Sequence, residues 1–252
     1  MLNYIYADYK RIITRIPRLI FMVIFNAIFV AVILNGWRKA AGNYTSVAFL
    51  DSASTFFGFF FLGLVALIDF VQTYSFDFRA KTIQVALGIG ISRFQVILSK
   101  LVQLALVLLT DLLVNLTVLG ILSGIMGVFL NFDQMGYLFF NGLGNIALVT
   151  CCAGLLMPLI FRTQNMVLGL IGYAILVPGI PSVLVRELTP LGPEFLQKLQ
   201  LARFFYDRVI DLTVTNAIQD AFQLWPVLVA IVWFALGIYL SWLAFRKMEL
   251  DF

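Results

Sequence analysis

Five polar side chains in one apolar stretch are the residues of this sequence most able to do chemistry. Four of them, Lys100, Gln103, Asp111 and Asn115, are spaced near multiples of the helical repeat, and Thr110 lies close by. An acid at the centre of a membrane-spanning helix costs about 2.5–3.5 kcal/mol to insert, so Asp111 is a functional candidate by default. This polar face could line a pathway for a transported molecule. It could equally form hydrogen bonds between helices, worth about 0.6 kcal/mol each.

Asp69 is a second acid in an apolar stretch, close to the predicted end of that stretch. A water-filled vestibule or a basic neighbour could satisfy its carboxylate, and a position at the membrane interface is the favoured interpretation. Gln103, Asp111, Asn115 and Asp69 are together the candidate transport-pathway residues.

Catalysis and metal binding by the chain itself are not expected from its residue types. The sequence has no His, and its two cysteines, Cys151 and Cys152, are adjacent within an apolar run. Zinc sites and thiol enzymes require Cys and His at spacings that this sequence does not have. No catalytic residue, metal ligand or bound cofactor is therefore predicted in this chain, and the cysteines are interpreted as packing residues.

The composition is typical of an integral membrane protein. Hydrophobic residues make up 62% of the 252 residues and charged residues 12%, whereas soluble domains have roughly 45–50% and about 25%. The apolar runs are continuous rather than alternating, which favours helices over a β-barrel. The net charge of +4 comes from basic residues beside the apolar runs, so no nucleic-acid partner is expected.

Six apolar runs are long enough to cross a bilayer, whose core needs about 20 residues of helix. The predicted spans are residues 19–37, 53–72, 101–123, 137–161, 166–183 and 224–245. Pro178 and Pro181 are expected to bend or break the fifth span, because proline removes a backbone donor. The predicted fold is therefore an all-α integral membrane bundle of six transmembrane helices, with residues 1–252 as a single domain.

The distribution of basic residues predicts that both termini are cytoplasmic. In that orientation, eleven Lys or Arg residues lie on the inner side and six on the outer side, and four of those six share one long loop where the rule is weaker. No cleaved signal peptide is expected. The first apolar run follows a charged segment of 18 residues and lacks a small-residue cleavage pattern.

Residues 1–18 are predicted to form an amphipathic elbow helix at the membrane interface. Apolar residues recur along one stripe from Leu2 to Ile16, while Asp8 and three basic residues fall on the opposite side. Such a helix buries its apolar face at the acyl boundary and turns its charges toward the headgroups. Pro17 then lets the chain turn into the first span.

The segment between the last two spans, residues 182–223, is too long for a simple turn. Pro193 lies where a helix could begin, and the apolar residues after it are spaced in a partly amphipathic pattern. We expect one or two short external helices that lie on the outer leaflet or dip into it.

The polar segment at residues 73–100 connects the second and third spans on the predicted cytoplasmic side. Its first part is expected to form a short helix closed by Gly88, since glycine tolerates the positive φ of a helix terminus. Ser92 and Gln95 fit a capping box that starts the next helix at Arg93. A short surface helix, a glycine hinge and a capped helix are together suited to docking a soluble partner.

This segment resembles the cytoplasmic hallmark of type-2 ABC transporter permeases. That hallmark has an acid, a Thr, a leucine-rich turn, a Ser-Arg pair and a Lys at the start of the third span. The corresponding residues here are Asp77, Thr82, Leu87, Ser92, Arg93 and Lys100. The elbow helix, the six spans and the long last external loop are also similar to that family. The resemblance implies that these residues, with Arg79, form a coupling helix that docks into a separate ATPase subunit.

The resemblance also implies partners and a function. Two permease subunits, identical or homologous, would enclose a pathway in a bacterial plasma membrane, and two copies of an ATPase subunit would bind ATP and Mg²⁺. The chain itself is not expected to be an enzyme, because it has no G-x-x-x-x-G-K-[ST] loop. The expected cargo is hydrophobic or amphipathic, such as an antimicrobial peptide exported or expelled for self-immunity.

Three other classes of protein are also compatible with the sequence. An ion-coupled secondary carrier would use the titration of Asp111, and its transport would depend on a proton gradient rather than on ATP. An intramembrane enzyme would need clustered nucleophiles or paired carboxylates, and the sequence offers scattered acids. A membrane scaffold would move no cargo in response to nucleotide.

Overall fold

The computed structural model describes residues 2–39, 45–79, 82–191, 200–219 and 223–246, and of residues 59, 75–79 and 82 it describes the backbone alone. The helices in these ranges are α1 (Leu2–Ile13), α2 (Ile16–Lys39), α3 (Ser46–Thr55), α4 (Ala66–Arg79), α5 (Thr82–Gly88), α6 (Arg93–Ile125), α7 (Phe132–Thr163), α8 (Met166–Leu176), α9 (Ile180–Leu188), α10 (Tyr206–Ile218) and α11 (Leu224–Arg246). A π-helical segment, Phe56–Val65, joins α3 to α4, and 3-10 turns lie at Thr189–Leu191 and Leu201–Phe204. These ranges contain no β-strand.

Within the described ranges, five helical segments are long and apolar enough to cross a membrane. They are α2, the continuous segment Ser46–Tyr74, α6, α7 and α11. The bent pair formed by α8 and the segment that begins with α9 gives a sixth if the pair is counted as one span. The prediction of an all-α, multi-pass membrane protein is confirmed at this level.

The fifth predicted span breaks at its proline-rich end, as expected. α8 ends at Leu176, and the chain changes direction by 50° before continuing from Ile180. Gly179 lies at this break with a φ of 72°, a conformation that favours glycine. Pro181 falls in the first turn of α9, where its missing amide costs no hydrogen bond.

α7 packs against α6, α8, α10 and α11. Its contact with α11 is close because small residues face each other: a Cβ built on Gly237 would lie 3.0 Å from the backbone carbon of Gly154. Ser241 also donates a hydrogen bond to the Gly154 carbonyl at 3.0 Å. Cys151 and Cys152 are buried on the same helix, in agreement with a packing role.

The predicted external segment folds back into the bundle. α10 packs against α7 and α11, and the Tyr206 hydroxyl at its start donates to the Leu176 carbonyl at 2.5 Å. The Ser182 hydroxyl donates to Asp207 at 2.5 Å, which ties α9 to α10. Short helices are therefore present in this region, as predicted. The helix expected to begin at Pro193 lies outside the described residues.

α1 packs against α6 rather than presenting all of its charges to the surroundings. Ile5 and Ile12 are buried, but so is Asp8, whereas Leu2 and Tyr6 of the predicted apolar stripe are exposed. The assignment of Asp8 to the polar outer face was therefore wrong. The reason is that Lys100, a buried base on α6, pairs with Asp8 at this contact.

The turn after α5 differs from the prediction by two residues. Gly88 is the last residue of α5, and Gly90 has the positive φ, 88°. The Ile91 amide donates to the Ala86 carbonyl and the Gly90 amide to the Leu87 carbonyl, which is the Schellman pattern. The assignment of the left-handed position to Gly88 was wrong, because Gly88 still belongs to α5 and the helix is closed two residues further along the chain, at Gly90.

Candidate functional site

The polar face of α6 is buried, as its residue spacing predicted. Lys100, Gln103, Asp111 and Asn115 each expose no more than 2% of their surface. Buried polar groups need partners, and each of these residues makes at least one hydrogen bond to α1, α2 or α6 itself. The two ionisable residues among them define two separate contacts.

Arg18 joins the two acids that the sequence singled out. Its Nε donates to Asp69 Oδ1 at 2.9 Å, and its Nη2 donates to Asp111 Oδ1. Arg18 belongs to the first turn of α2, Asp69 to α4 and Asp111 to α6, so one guanidinium connects three helices. Sequence analysis did not identify Arg18 as a candidate. We call these three residues the charge cluster.

The charge cluster is almost completely shielded from solvent. The Arg18 side chain is 3% exposed, and those of Asp69 and Asp111 are each 2% exposed. Two carboxylates surround one guanidinium, and the Asn115 amide donates to the Asp111 backbone carbonyl at 2.8 Å. Removing one partner of a buried pair typically costs about 3–5 kcal/mol, because the remaining charge stays buried without compensation. The cluster therefore fixes α2, α4 and α6 relative to one another.

A second buried ion pair holds α1 on α6. The Lys100 ammonium donates to Asp8 Oδ2 at 2.5 Å and to Gln103 Oε1 at 3.3 Å. The hydroxyls of Tyr9 and Thr110 share a hydrogen bond of 2.8 Å along the same contact. Lys100 was predicted to take part in ATPase coupling, and the structure places its ammonium in the interior, against α1. A role for Lys100 in coupling stays a prediction.

α5 is a short helix that buries one side and exposes apolar side chains on the other. Ile83 and Ala86 are buried against the bundle, whereas Val85 and Ile89 are 62% and 72% exposed. The nearby Phe94 is also 47% exposed. Exposed apolar side chains at the end of a bundle are typical of a contact surface. We call Val85, Ile89 and Phe94 the α5 surface.

The predicted capping box at the start of α6 is present. The Ser92 hydroxyl accepts from the Gln95 amide at 3.2 Å, and the Gln95 side chain accepts from the Ser92 amide at 3.0 Å. Each interaction satisfies an amide that the first turn of a helix leaves without a partner. The capping box therefore fixes where α6 begins relative to the turn after α5.

Arg93, another predicted coupling residue, contacts the end of α11. Its Nη1 donates to the carbonyls of Phe245 and Arg246 at 2.6 and 2.8 Å, and its guanidinium lies 5.5 Å from the centre of the Phe245 ring. A positive charge at a helix C-terminus is favourable. Arg93 thus joins the start of α6 to the end of α11.

The other predicted coupling residues lie before α5, within it or directly after it. Asp77 and Arg79 lie in the last turns of α4, and Thr82 begins α5, but their side chains lie outside the described part of the structure. Leu87 is partly buried against the core, and Ser92 is the N-cap of α6. The structure therefore brings these residues into one connected segment, and their contact with an ATPase stays a prediction.

An apolar cavity of about 440 Å³ lies between the π-helical segment and α8. Gly58, Leu67 and Val177 are among its lining residues, and the hydroxyl of Tyr173 donates to the Leu62 carbonyl at 2.6 Å. π-helical turns are frequent at functional sites, because they interrupt the regular hydrogen bonding of a helix. The four predicted transport-pathway residues are not among the residues that line this cavity.

The chain matches no model of a protein family, no curated protein and no solved structure. Its function is therefore inferred from the residues and contacts of the chain itself.

Proposed function

We propose that this chain is the membrane-spanning permease subunit of an ATP-driven exporter whose ATPase is a separate subunit. The observation that carries the proposal is the α5 surface, formed by Val85 on the seven-residue helix α5, Ile89 in the Schellman turn and Phe94 at the start of α6. A short helix with exposed apolar side chains is suited to a groove on a soluble partner. The resemblance of residues 77–100 to the coupling segment of type-2 ABC permeases supports the same interpretation.

The helix contacts suggest how a movement of α5 would reach the rest of the bundle. α6 follows α5 after one turn and carries both Lys100 and Asp111, which pair with α1 and α2. Arg18 extends this connection to Asp69 on α4, the helix that leads back to α5. Because breaking such buried pairs is costly, these helices would move together when an ATPase displaces α5. Charged contacts of α6 are thus the proposed route of coupling.

The cargo that fits this chain best is hydrophobic or amphipathic. The apolar cavity beside the π-helical segment supports this, since ligand cavities are lined mainly by side chains of matching polarity. A second permease, identical or homologous, would complete the pathway, and the ATPase subunits would hold ATP and Mg²⁺. Export of an antimicrobial peptide, or its expulsion for self-immunity, is the proposed role. The proposed location is a bacterial plasma membrane with both termini and α5 on the cytoplasmic side.

The test is to make the α5 surface acidic in the full chain with the substitutions Val85→Glu and Ile89→Glu. We expect at least a tenfold loss of co-purifying ATPase subunit and of ATP hydrolysis in the purified complex. Reversal of the Arg93 charge is a weaker test, because it also disturbs the end of α11. The matched control is Ile125→Glu with Phe129→Glu, two residues 75% and 84% exposed at the other end of α6. Equal ATPase association in both variants would refute the docking role.

An ion-coupled secondary carrier is the second candidate function, and the buried acids of the charge cluster favour it. Proton-coupled carriers use buried carboxyls, and Asp111 is a buried carboxyl beside Arg18 and Asp69. Uptake into proteoliposomes that contain only this chain separates the two functions. Transport driven by a pH gradient without ATPase, and abolished by Asp111→Asn, would select the carrier.

A further inference from the structure

A second cavity, of about 560 Å³, lies between the end of α9, the 3-10 turn before α10, α10 itself and the start of α11. It is lined by three arginines, one acid and an apolar wall, among them Arg186, Arg203, Arg208, Asp211, Leu212 and Trp225. We call it the arginine cavity. Arginine is costly in a membrane protein unless an anion or water reaches its guanidinium.

The arginine cavity lies beside the start of α11. Trp225 is the second residue of that helix, whereas the Trp233 indole donates to the Phe204 carbonyl at 2.7 Å. Since Trp233 follows Leu224 by nine residues, this contact lies about 13 Å along the helix from its start. Arg203 is the neighbour of Phe204, so the 3-10 turn that lines the cavity also packs along the first turns of α11.

Within the part of the chain that the structure describes, these arginines are neutralised only weakly. Arg203 donates to the neutral Gln200 amide oxygen at 2.9 Å, and Arg208 Nε lies 3.9 Å from Asp207 Oδ2. That carboxylate oxygen already accepts the short hydrogen bond from Ser182. Arg186 pairs at 2.9 Å with the adjacent Glu187, but both side chains are more than half exposed, and such surface pairs contribute little. The three guanidiniums therefore retain the capacity to bind an anion.

We propose that the arginine cavity binds an anionic phospholipid, with the phosphate on Arg203 and Arg208 and the first acyl carbons along Leu212 and Trp225. Guanidinium groups bind phosphate oxygens through paired, charge-assisted hydrogen bonds. Tryptophan is the residue that membrane proteins place at the level of the headgroups, because its ring is apolar and its N–H is polar. The excess of arginine over acid in the lining favours an anionic lipid over a neutral one. This site is independent of the proposed ATP-driven export.

The experiment is native mass spectrometry of the full chain in detergent, titrated with phosphatidylglycerol or with phosphatidylcholine. We expect phosphatidylglycerol to bind at least tenfold more tightly. The double substitution Arg203→Gln and Arg208→Gln should remove that preference. The control Arg38→Gln with Lys39→Gln removes two exposed charges from the end of α2 and should change binding less than twofold.

Three results would overturn the proposal. The first is equal affinity of the unaltered chain for the two lipids. The second is an equal loss of binding in the cavity variant and the control, which would indicate general attraction by surface charge. The third is binding of an acidic peptide but not of phosphatidylglycerol. If the double variant does not fold, Ala202→Trp fills the cavity and keeps every charge, and unchanged phosphatidylglycerol binding by that variant would refute the site.

Discussion

Replacing Arg18 by Gln removes the positive centre of the charge cluster and leaves two acids buried. The side chains of Asp69 and Asp111 are each 2% exposed, so water does not replace the lost guanidinium. Removing one partner of a buried pair costs about 3–5 kcal/mol. In a chain of this size, 1 kcal/mol corresponds to a melting shift of roughly 2–4 °C, so we expect Tm to fall by about 6–20 °C.

Thermal unfolding of the purified chain in mild detergent measures this change. The second variant is the triple substitution Arg18→Gln, Asp69→Asn and Asp111→Asn, which removes every charge of the cluster while Asn keeps the shape of Asp. We expect the triple variant to recover most of the lost Tm, because no charge is left buried without a partner. The control is Arg38→Gln, at the exposed end of α2, which should change stability by less than about 0.5 kcal/mol.

Two outcomes would contradict the electrostatic account of the cluster. Arg18→Gln could melt at the same temperature as the unaltered chain, which would mean that the guanidinium does not hold the helices together. The triple variant could also be no more stable than Arg18→Gln, in which case the loss would come from packing rather than from unpaired charge.

Three further changes test the elements around the cluster. Gly179→Ala should cost more than about 1–2 kcal/mol in the same melting assay, because the positive φ is strained for alanine and its Cβ would lie 2.5 Å from Asp207 Oδ2. Gly120→Ala, where a Cβ has open space, should be neutral or stabilising. Ser92→Ala should cost about 1 kcal/mol by removing the helix cap, and Ser92→Thr should retain it; equal loss in both would exclude the capping role. Lys100→Met should release α1 and speed its cleavage by trypsin, and adding Asp8→Leu should restore protection if the buried ion pair is the cause.

Local features of the fold could be predicted from the sequence because a few neighbouring residues determine them. The capping box depends on Ser92 and Gln95, which are three residues apart, and the break after α8 depends on two prolines and Gly179. Gly88 and Gly90 were confused because both could supply the left-handed residue at the end of α5. Which glycine closes a helix depends on where its last turn ends, and that is set by packing on the bundle.

The charge cluster could not be predicted, because its members are far apart in the chain. Arg18 is separated from Asp69 by 51 residues and from Asp111 by 93. A base at the start of a first span is expected from membrane orientation alone, so the sequence gives no sign that it turns inward. The only available signal was that two apolar stretches each contain an acid, which implies a buried base somewhere.

The π-helical segment also had no clear signature in the sequence. Phe56–Val65 is part of a continuous apolar run, and its composition is compatible with an ordinary helix. Asp8 was misassigned for a different reason. Helical spacing places it on the same face as Ile5 and Ile12, and an acid on that face is explained only by the pairing with Lys100 of α6.

Photo-crosslinking from the α5 surface in living cells tests the central claim most directly. A photoreactive amino acid at position 85 should attach the chain to a nucleotide-binding ATPase subunit, identified by mass spectrometry, whereas the same group at position 125 should not. Crosslinking that depends on the presence of ATP would indicate that the contact between α5 and the ATPase subunit changes when ATP binds. If position 85 crosslinks only to lipid, or if both positions give the same products, α5 is not the docking element and the proposed function is wrong.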